Sequence, residues 1–136
     1  MLYLGAAVLL GAASEGAWLE LAMTVSNVPM YKVPRGLEKA LGTTTPSIEI
    51  VQKRTRDAIL ADFRDAMKKA DTRPGEFEQV METGSYYRRL RNYAIHFQHE
   101  ELDQLNHATV GILLLNATDY FNFLYRLRNA VGAPSG

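Results

Sequence analysis

Residues Glu76–Phe97 read EFEQVMETGSYYRRLRNYAIHF, and this stretch sets both the fold class and the place to look for chemistry. Phe77, Val80, Met81, Leu90 and Ala94 recur with a helical period, not with the two-residue alternation of a strand. Asp71-Thr72-Arg73-Pro74-Gly75 breaks the chain just before the stretch, and the polar run Gln98 to Glu101 forms a turn after it. Gly84-Ser85 interrupts the apolar pattern and marks a site for a kink.

Working outward, the five prolines fall between periodic segments, and no segment alternates with period two over a useful length. A first helix is predicted over about Leu2 to Ser26. Gly5, Gly11, Ala12, Ala13, Gly16 and Ala17 make it thin, which suits close approach by a neighbour. Residues 27–35 read as a loop, Gly36 to Leu41 as a short helix, and Gly42 to Thr45 as a connector.

The second long helix starts at Thr45 or Ser47, with Pro46 in its first turn, and continues to about Ala70. Ile48, Val51, Ala58, Ile59, Phe63, Ala66 and Met67 form its apolar face. The helix over Glu76 to Phe97 is the third. The fourth covers about Leu102 to Val131, with Leu105, Val110, Leu113, Leu114, Ala117, Phe121, Leu124 and Leu127 inward.

The fold class is all-α: an antiparallel bundle of four to five helices in one domain over residues 1–131, with 132–136 as a flexible tail. Tyr86, Tyr87, Tyr93, Tyr120, Phe123 and Tyr125 remain after one core stripe is assigned. They suit a second apolar face, a dimer seam; the alternative is that they lie singly at the surface.

A chain of 136 residues can bury a core without staples. Fifteen basic and fifteen acidic side chains cancel, so no global field draws nucleic acid, and any RNA contact rests on a local patch. There is no cysteine, which excludes disulfides, thiolate nucleophiles and cysteine-held zinc and fits a cytoplasmic location. The apolar opening Met1 to Ala13 lacks the basic start of a signal peptide and runs into Glu15, Trp18 and Glu20. It is shorter than the roughly 18 uninterrupted apolar residues of a membrane span. A buried helix, not a membrane segment, is expected.

The chemistry-bearing run is Arg91-Asn92-Tyr93-Ala94-Ile95-His96. Arginine offers paired, permanently charged donors to phosphate oxygens, and histidine exchanges a proton near neutral pH. Together they suit attack of an RNA 2′-hydroxyl on the adjacent phosphorus. Asn92 is placed to orient the phosphate or the imidazole. Arg88, Arg89 and Arg91 make a local basic patch, Tyr86, Tyr87 and Tyr93 are candidate base-stacking rings, and Arg88, Arg89, Tyr93 and His99 are the candidate RNA-binding residues.

On an ideal helix Arg91 and His96 point roughly 140° apart. Local unwinding, a long reach by the arginine, or a two-fold partner helix brings them together. The structural alternative pairs Arg91 with Glu100 or Glu101 and sets His96 at the helix C-terminus, where its charge is favourable. His96, His99, Glu100 and His107 do not form a recognised metal pattern, and no Gly-rich phosphate loop occurs, so neither metal nor cofactor is expected.

Arg91-Asn92 followed by His96, late in the helix before the final long one, resembles the signature of the HEPN domains (higher eukaryotes and prokaryotes nucleotide-binding). The helical order over residues 2–131 is similar, as is the style of Gly11-Ala12-Ala13-Ser14-Glu15-Gly16-Ala17 in the first helix. The resemblance implies a homodimer with two Arg–His motifs facing one cleft. It further implies a metal-independent endoribonuclease of a toxin–antitoxin or phage-defence system, with an antitoxin or defence-system partner protein. Arg91 and His96 would be catalytic and Asn92 supporting. The toxins paired with a nucleotidyltransferase antitoxin often carry a modified Tyr two residues after the histidine; this chain has Gln98 there and departs from that subgroup. Other HEPN domains serve as non-catalytic modules that bind nucleotide, RNA or protein.

Overall fold

The computed structural model describes residues 2–96 and 107–133; side chains of residues 2–4, 93–96 and 107–114 are outside the description. The described residues form six helices and no strand: α1 (Leu2–Ser26), α2 (Arg35–Leu41), α3 (Ile48–Asp62), α4 (Arg64–Lys69), α5 (Glu76–His96) and α6 (His107–Gly132). The expected inward positions Ala94, Leu105, Val110, Leu113 and Leu114 lie outside the described side chains.

α1 is the hub, packing against α3, α5 and α6. Its Ala17, Trp18, Leu21, Ala22 and Val25 are buried. A helix apolar around its whole circumference is most stable with several neighbours, which is how α1 is used. By length and composition Gly5–Ser26 is long and apolar enough to cross a membrane, yet this Trp18-bearing face is core.

Contacts fix the helix directions. Gly11 of α1 meets Arg91 of α5 while Gly84 meets Trp18, so α1 and α5 run oppositely. Glu49 pairs with Arg88 and Arg56 meets Met81, so α3 also opposes α5. α6 instead runs parallel to α1: Tyr120 meets Ser14, Arg128 meets Glu20, and Gly132 meets Thr24. The simple antiparallel alternation is therefore corrected. Residues 27–47, with α2, carry the chain back so that α3 starts in the same sense as α1, and strict alternation is lost.

The expected second helix is divided. α3 stops at Asp62, and Phe63 adopts φ −127° and ψ 35° before α4 begins. The break sets the Phe63 ring edge-on to Tyr31 at 4.8 Å and leaves Ala66, Met67 and Ala70 in the core. Pro46 lies outside the helix, since Ser47 is the N-cap. α5, by contrast, passes through Gly84-Ser85 as one helix. Gly84 is there for contact: an added Cβ would meet the Tyr120 hydroxyl at 2.7 Å and the Gln52 amide nitrogen at 2.9 Å.

The surplus aromatics also need correction. Tyr87, Tyr120 and Phe123 are in this chain's own core, at 0%, 3% and 5% exposure. Phe77 packs edge-on to Phe123, and Tyr87 edge-on to Tyr120. Only Tyr86 and Tyr125 of the described set reach the surface. A core takes tyrosines when their hydroxyls are satisfied. Here the Trp18 indole N–H donates to the Tyr120 oxygen at 2.8 Å, and Ser14 Oγ shares a 2.6 Å hydrogen bond with the same oxygen.

Candidate functional site around Arg91

Arg91 emerges from α5 where that helix crosses α1. Gly11 makes the crossing possible: a Cβ there would stand 2.5 Å from the Arg91 Cβ and 3.0 Å from its Cδ. Any side chain at 11 would force the helices apart. One turn further along α1, Glu15 meets the arginine, with Oε2 2.6 Å from Arg91 Nη1. Residues four apart share a helix face, so the glycine that admits the arginine stem and the carboxylate that holds its head are stacked on α1.

The pair is partly withdrawn from water, with the Arg91 and Glu15 side chains 23% and 27% exposed. Arg91 Nε is buried and has no hydrogen-bond partner among the described residues. A guanidinium has five N–H donors in a planar fork, and a buried donor left unmatched is unusual.

The other expected site residues distribute as follows. Asn92 is exposed beside Arg91. Arg88 pairs with Glu49 of α3, and Arg89 lies over the Tyr86 ring with its guanidinium carbon 4.5 Å from the centroid. The basic patch is thus not open: two of its three arginines hold carboxylates and the third is stacked. Tyr87, expected as a stacking ring for RNA bases, is enclosed and unavailable for that role. Tyr93 and His96 belong to α5, but their side chains lie outside the described residues. His99 lies outside them entirely, as do Gln98 and the carboxylates of Glu100 and Glu101. The structure therefore groups Arg91, Asn92 and Glu15, and the partner it gives Arg91 is Glu15.

Glu15 is the residue that sequence reasoning undervalued. The available signal was its place four residues after Gly11 in a helix otherwise without charge before Glu20. Ser14 beside it belongs to the buried hub with Trp18 and Tyr120. Burial raises the Tyr120 phenol pKa, while its hydrogen bonds with Ser14 and Trp18 pull it back. Burial, then the neighbouring Tyr120, pushes Tyr87 up to about 12. These are groups kept neutral at physiological pH, and they scaffold the α1–α5 crossing without supplying a proton at pH 7.

Among the described residues no three imidazoles or carboxylates gather as a metal ion would need. A groove of about 1040 Å³ lies toward the other end of α1, lined by residues that include Leu19, Met23, Phe63 and Val131, away from Arg91. No protein-family model matches the chain, and neither does any curated protein or solved structure.

Proposed function

We propose that this chain is a HEPN-type endoribonuclease that cuts RNA without a metal, acting as a toxin or phage-defence effector in the cytoplasm. The observation that carries the reading is the seating of Arg91. Its stem is set against Gly11, its head is held by Glu15, and its Nε is buried and unmatched, beside Asn92 on the helix that ends at His96. A preorganised guanidinium is what phosphoryl chemistry uses, because donors fixed in advance need no reorganisation when charge develops.

In this reaction the RNA 2′-oxygen attacks phosphorus, the bond to the 5′-oxygen breaks, and a 2′,3′-cyclic phosphate remains. His96 exchanges the proton, and Arg91 stabilises the added charge on the non-bridging oxygens. Asn92 orients the phosphate, and Arg88, Arg89, Tyr93 and His99 are the residues proposed to contact RNA, with Arg88 exchanging Glu49 for a phosphate. A homodimer presents two such sets. Leu9 and Leu115, 73% and 80% exposed, supply apolar surface toward the same end of the bundle. An antitoxin or defence-system protein is the natural regulator of such an activity.

A second reading has its own support. The Arg91–Glu15 pair engages the arginine's Nη1 within the chain, as a non-catalytic HEPN-like module that binds nucleotide, RNA or a partner protein would allow. Incubating labelled mixed-sequence RNA in EDTA separates the two. Cutting that leaves cyclic-phosphate ends and vanishes in Arg91→Ala and His96→Ala is the expected result. No cutting by folded wild type across several RNAs would overturn the nuclease reading in favour of the module.

A further inference from the structure

A second cluster of cations sits on the other flank of α3. Arg35 and Lys39 lie four residues apart on α2 and so share a face. Arg54 comes up from α3 to join them. Its guanidinium rests on the backbone of α2 at Gly36, where an added Cβ would be 3.0 Å from Arg54 Nε and 3.2 Å from its Cζ. The three line an open cleft of about 940 Å³ together with Gly42, Thr43 and a single acid, Glu38.

What marks this cluster is that three cations without a carboxylate partner among the described residues share one cleft. Arg56, Arg88, Arg91 and Arg128 each hold an acidic side chain. Among the described residues Arg35, Lys39 and Arg54 hold none. Evenly matched charges leave few places where positive potential survives on a chain of net charge zero. This cleft, with three cations against one acid, is such a place.

We propose that the α2–α3 cleft is a phosphate-binding subsite that takes the backbone of single-stranded RNA, with Arg35 and Arg54 each neutralising one phosphate. The inference rests on the ribonuclease reading for the identity of the polyanion. Geometry ties the two regions together. Glu49, on the same helix as Arg54, holds Arg88, which lies one turn from Arg91. Eight residues of helical rise, about 12 Å, separate the levels of Arg54 and Arg91. The cleft anchors the strand through contacts that carry no sequence information, and the Arg91 region acts on it.

The test is fluorescence anisotropy with a labelled 12-nucleotide 2′-O-methyl RNA, which lacks the nucleophile and keeps binding apart from cleavage. The comparison is wild type against Arg35→Ala/Arg54→Ala and Arg35→Lys/Arg54→Lys, over a range of salt. Each phosphate neutralised on a single strand contributes about 0.7 to the slope of log affinity against log salt. The double alanine variant is expected to bind about tenfold more weakly, with a slope shallower by about 1.4, while the double lysine variant keeps the wild-type slope. Unchanged affinity and slope in a helical double alanine variant overturns the proposal, as does absence of binding by wild type. Binding that follows the expected pattern, with no cutting of ordinary RNA, supports the cleft and removes the nuclease reading alone.

Discussion

Changing Tyr120 to Phe removes one oxygen from the interior, and the structure sets what that oxygen is worth. It accepts the Trp18 indole N–H at 2.8 Å and shares a 2.6 Å hydrogen bond with Ser14. Trp18 is 0% exposed and Ser14 3%, so water does not replace the lost partner. Each buried polar group left unmatched costs about 1–3 kcal/mol. Ser14 has a partial remedy, because a helical serine can turn its hydroxyl to the carbonyl four residues back. Trp18, a donor on a rigid ring, has none. The expected loss is therefore about 2–4 kcal/mol, a large fraction of the roughly 5–15 kcal/mol that holds a domain together. Urea denaturation reads it as a lower midpoint at unchanged slope. A thermodynamic cycle sharpens the test. Ser14→Ala removes the serine orphan in advance, so the double variant should be less destabilised than the sum of the singles by about 1 kcal/mol. A loss under about 1 kcal/mol for Tyr120→Phe, or strict additivity in the cycle, would refute the claim that this hydroxyl organises the centre of the bundle.

Two further outcomes follow from the same packing. Gly11→Ala gains about 1 kcal/mol in helix propensity but drives a methyl to 2.5 Å from the Arg91 Cβ, an overpacking cost of about 1–3 kcal/mol. Net destabilisation by about 1 kcal/mol in urea melts is expected, and a stabilised variant refutes the close approach. Alkaline pH probes the two phenols held above their ordinary pKa. Tyr31 is pushed up to about 12 by burial and by its hydrogen bond to, and the charge of, Asp62; Tyr87 is raised to about 12 by burial and Tyr120. Their folded pKa values exceed the unfolded value of 10.0. The folded state thus holds protons that the unfolded state releases, so their stabilisation is complete below pH 10 and is lost as pH rises through about 12. Urea midpoints should fall across that window, less steeply in Tyr87→Phe, and a flat profile would count against burial as the cause.

The helices were legible where one signal dominated. α1 ends at Ser26, as expected from the apolar run and the Pro29 that follows, and the breaker before Glu76 marks the start of α5. The break at Phe63 was not legible. Phe63 continues the apolar period of α3, and only its contact with Tyr31, distant in sequence, shows why the chain bends there. The aromatic residues misled for a related reason. The pattern leaves six large rings outside one core stripe but does not show that Ser14 and Trp18 supply partners for the hydroxyl of Tyr120, which lets it and its neighbours go inside. At the candidate site, Arg91 and Asn92 were picked out by their neighbours in sequence. Glu15 was hidden, because a carboxylate on α1 acquires meaning only when Gly11 lets α5 come down beside it. The parallel course of α6 and α1 depends on where residues 27–47 deliver the chain, which side-chain periodicity does not encode.

That parallel pairing shapes how the protein is born. The hydrogen bonds that hold Trp18 and Ser14 are made to a tyrosine 102 and 106 residues later. On the ribosome α1 emerges well before its main partners α5 and α6. At about 5–20 residues per second, Trp18 waits on the order of 5–20 s for the tyrosine that accepts its indole N–H. The hydrogen-bonded centre around Trp18 therefore closes only once α6 has been made. The Arg91 site is assembled late as well, because Gly11 and Glu15 on α1 meet their arginine only after α5 has been made.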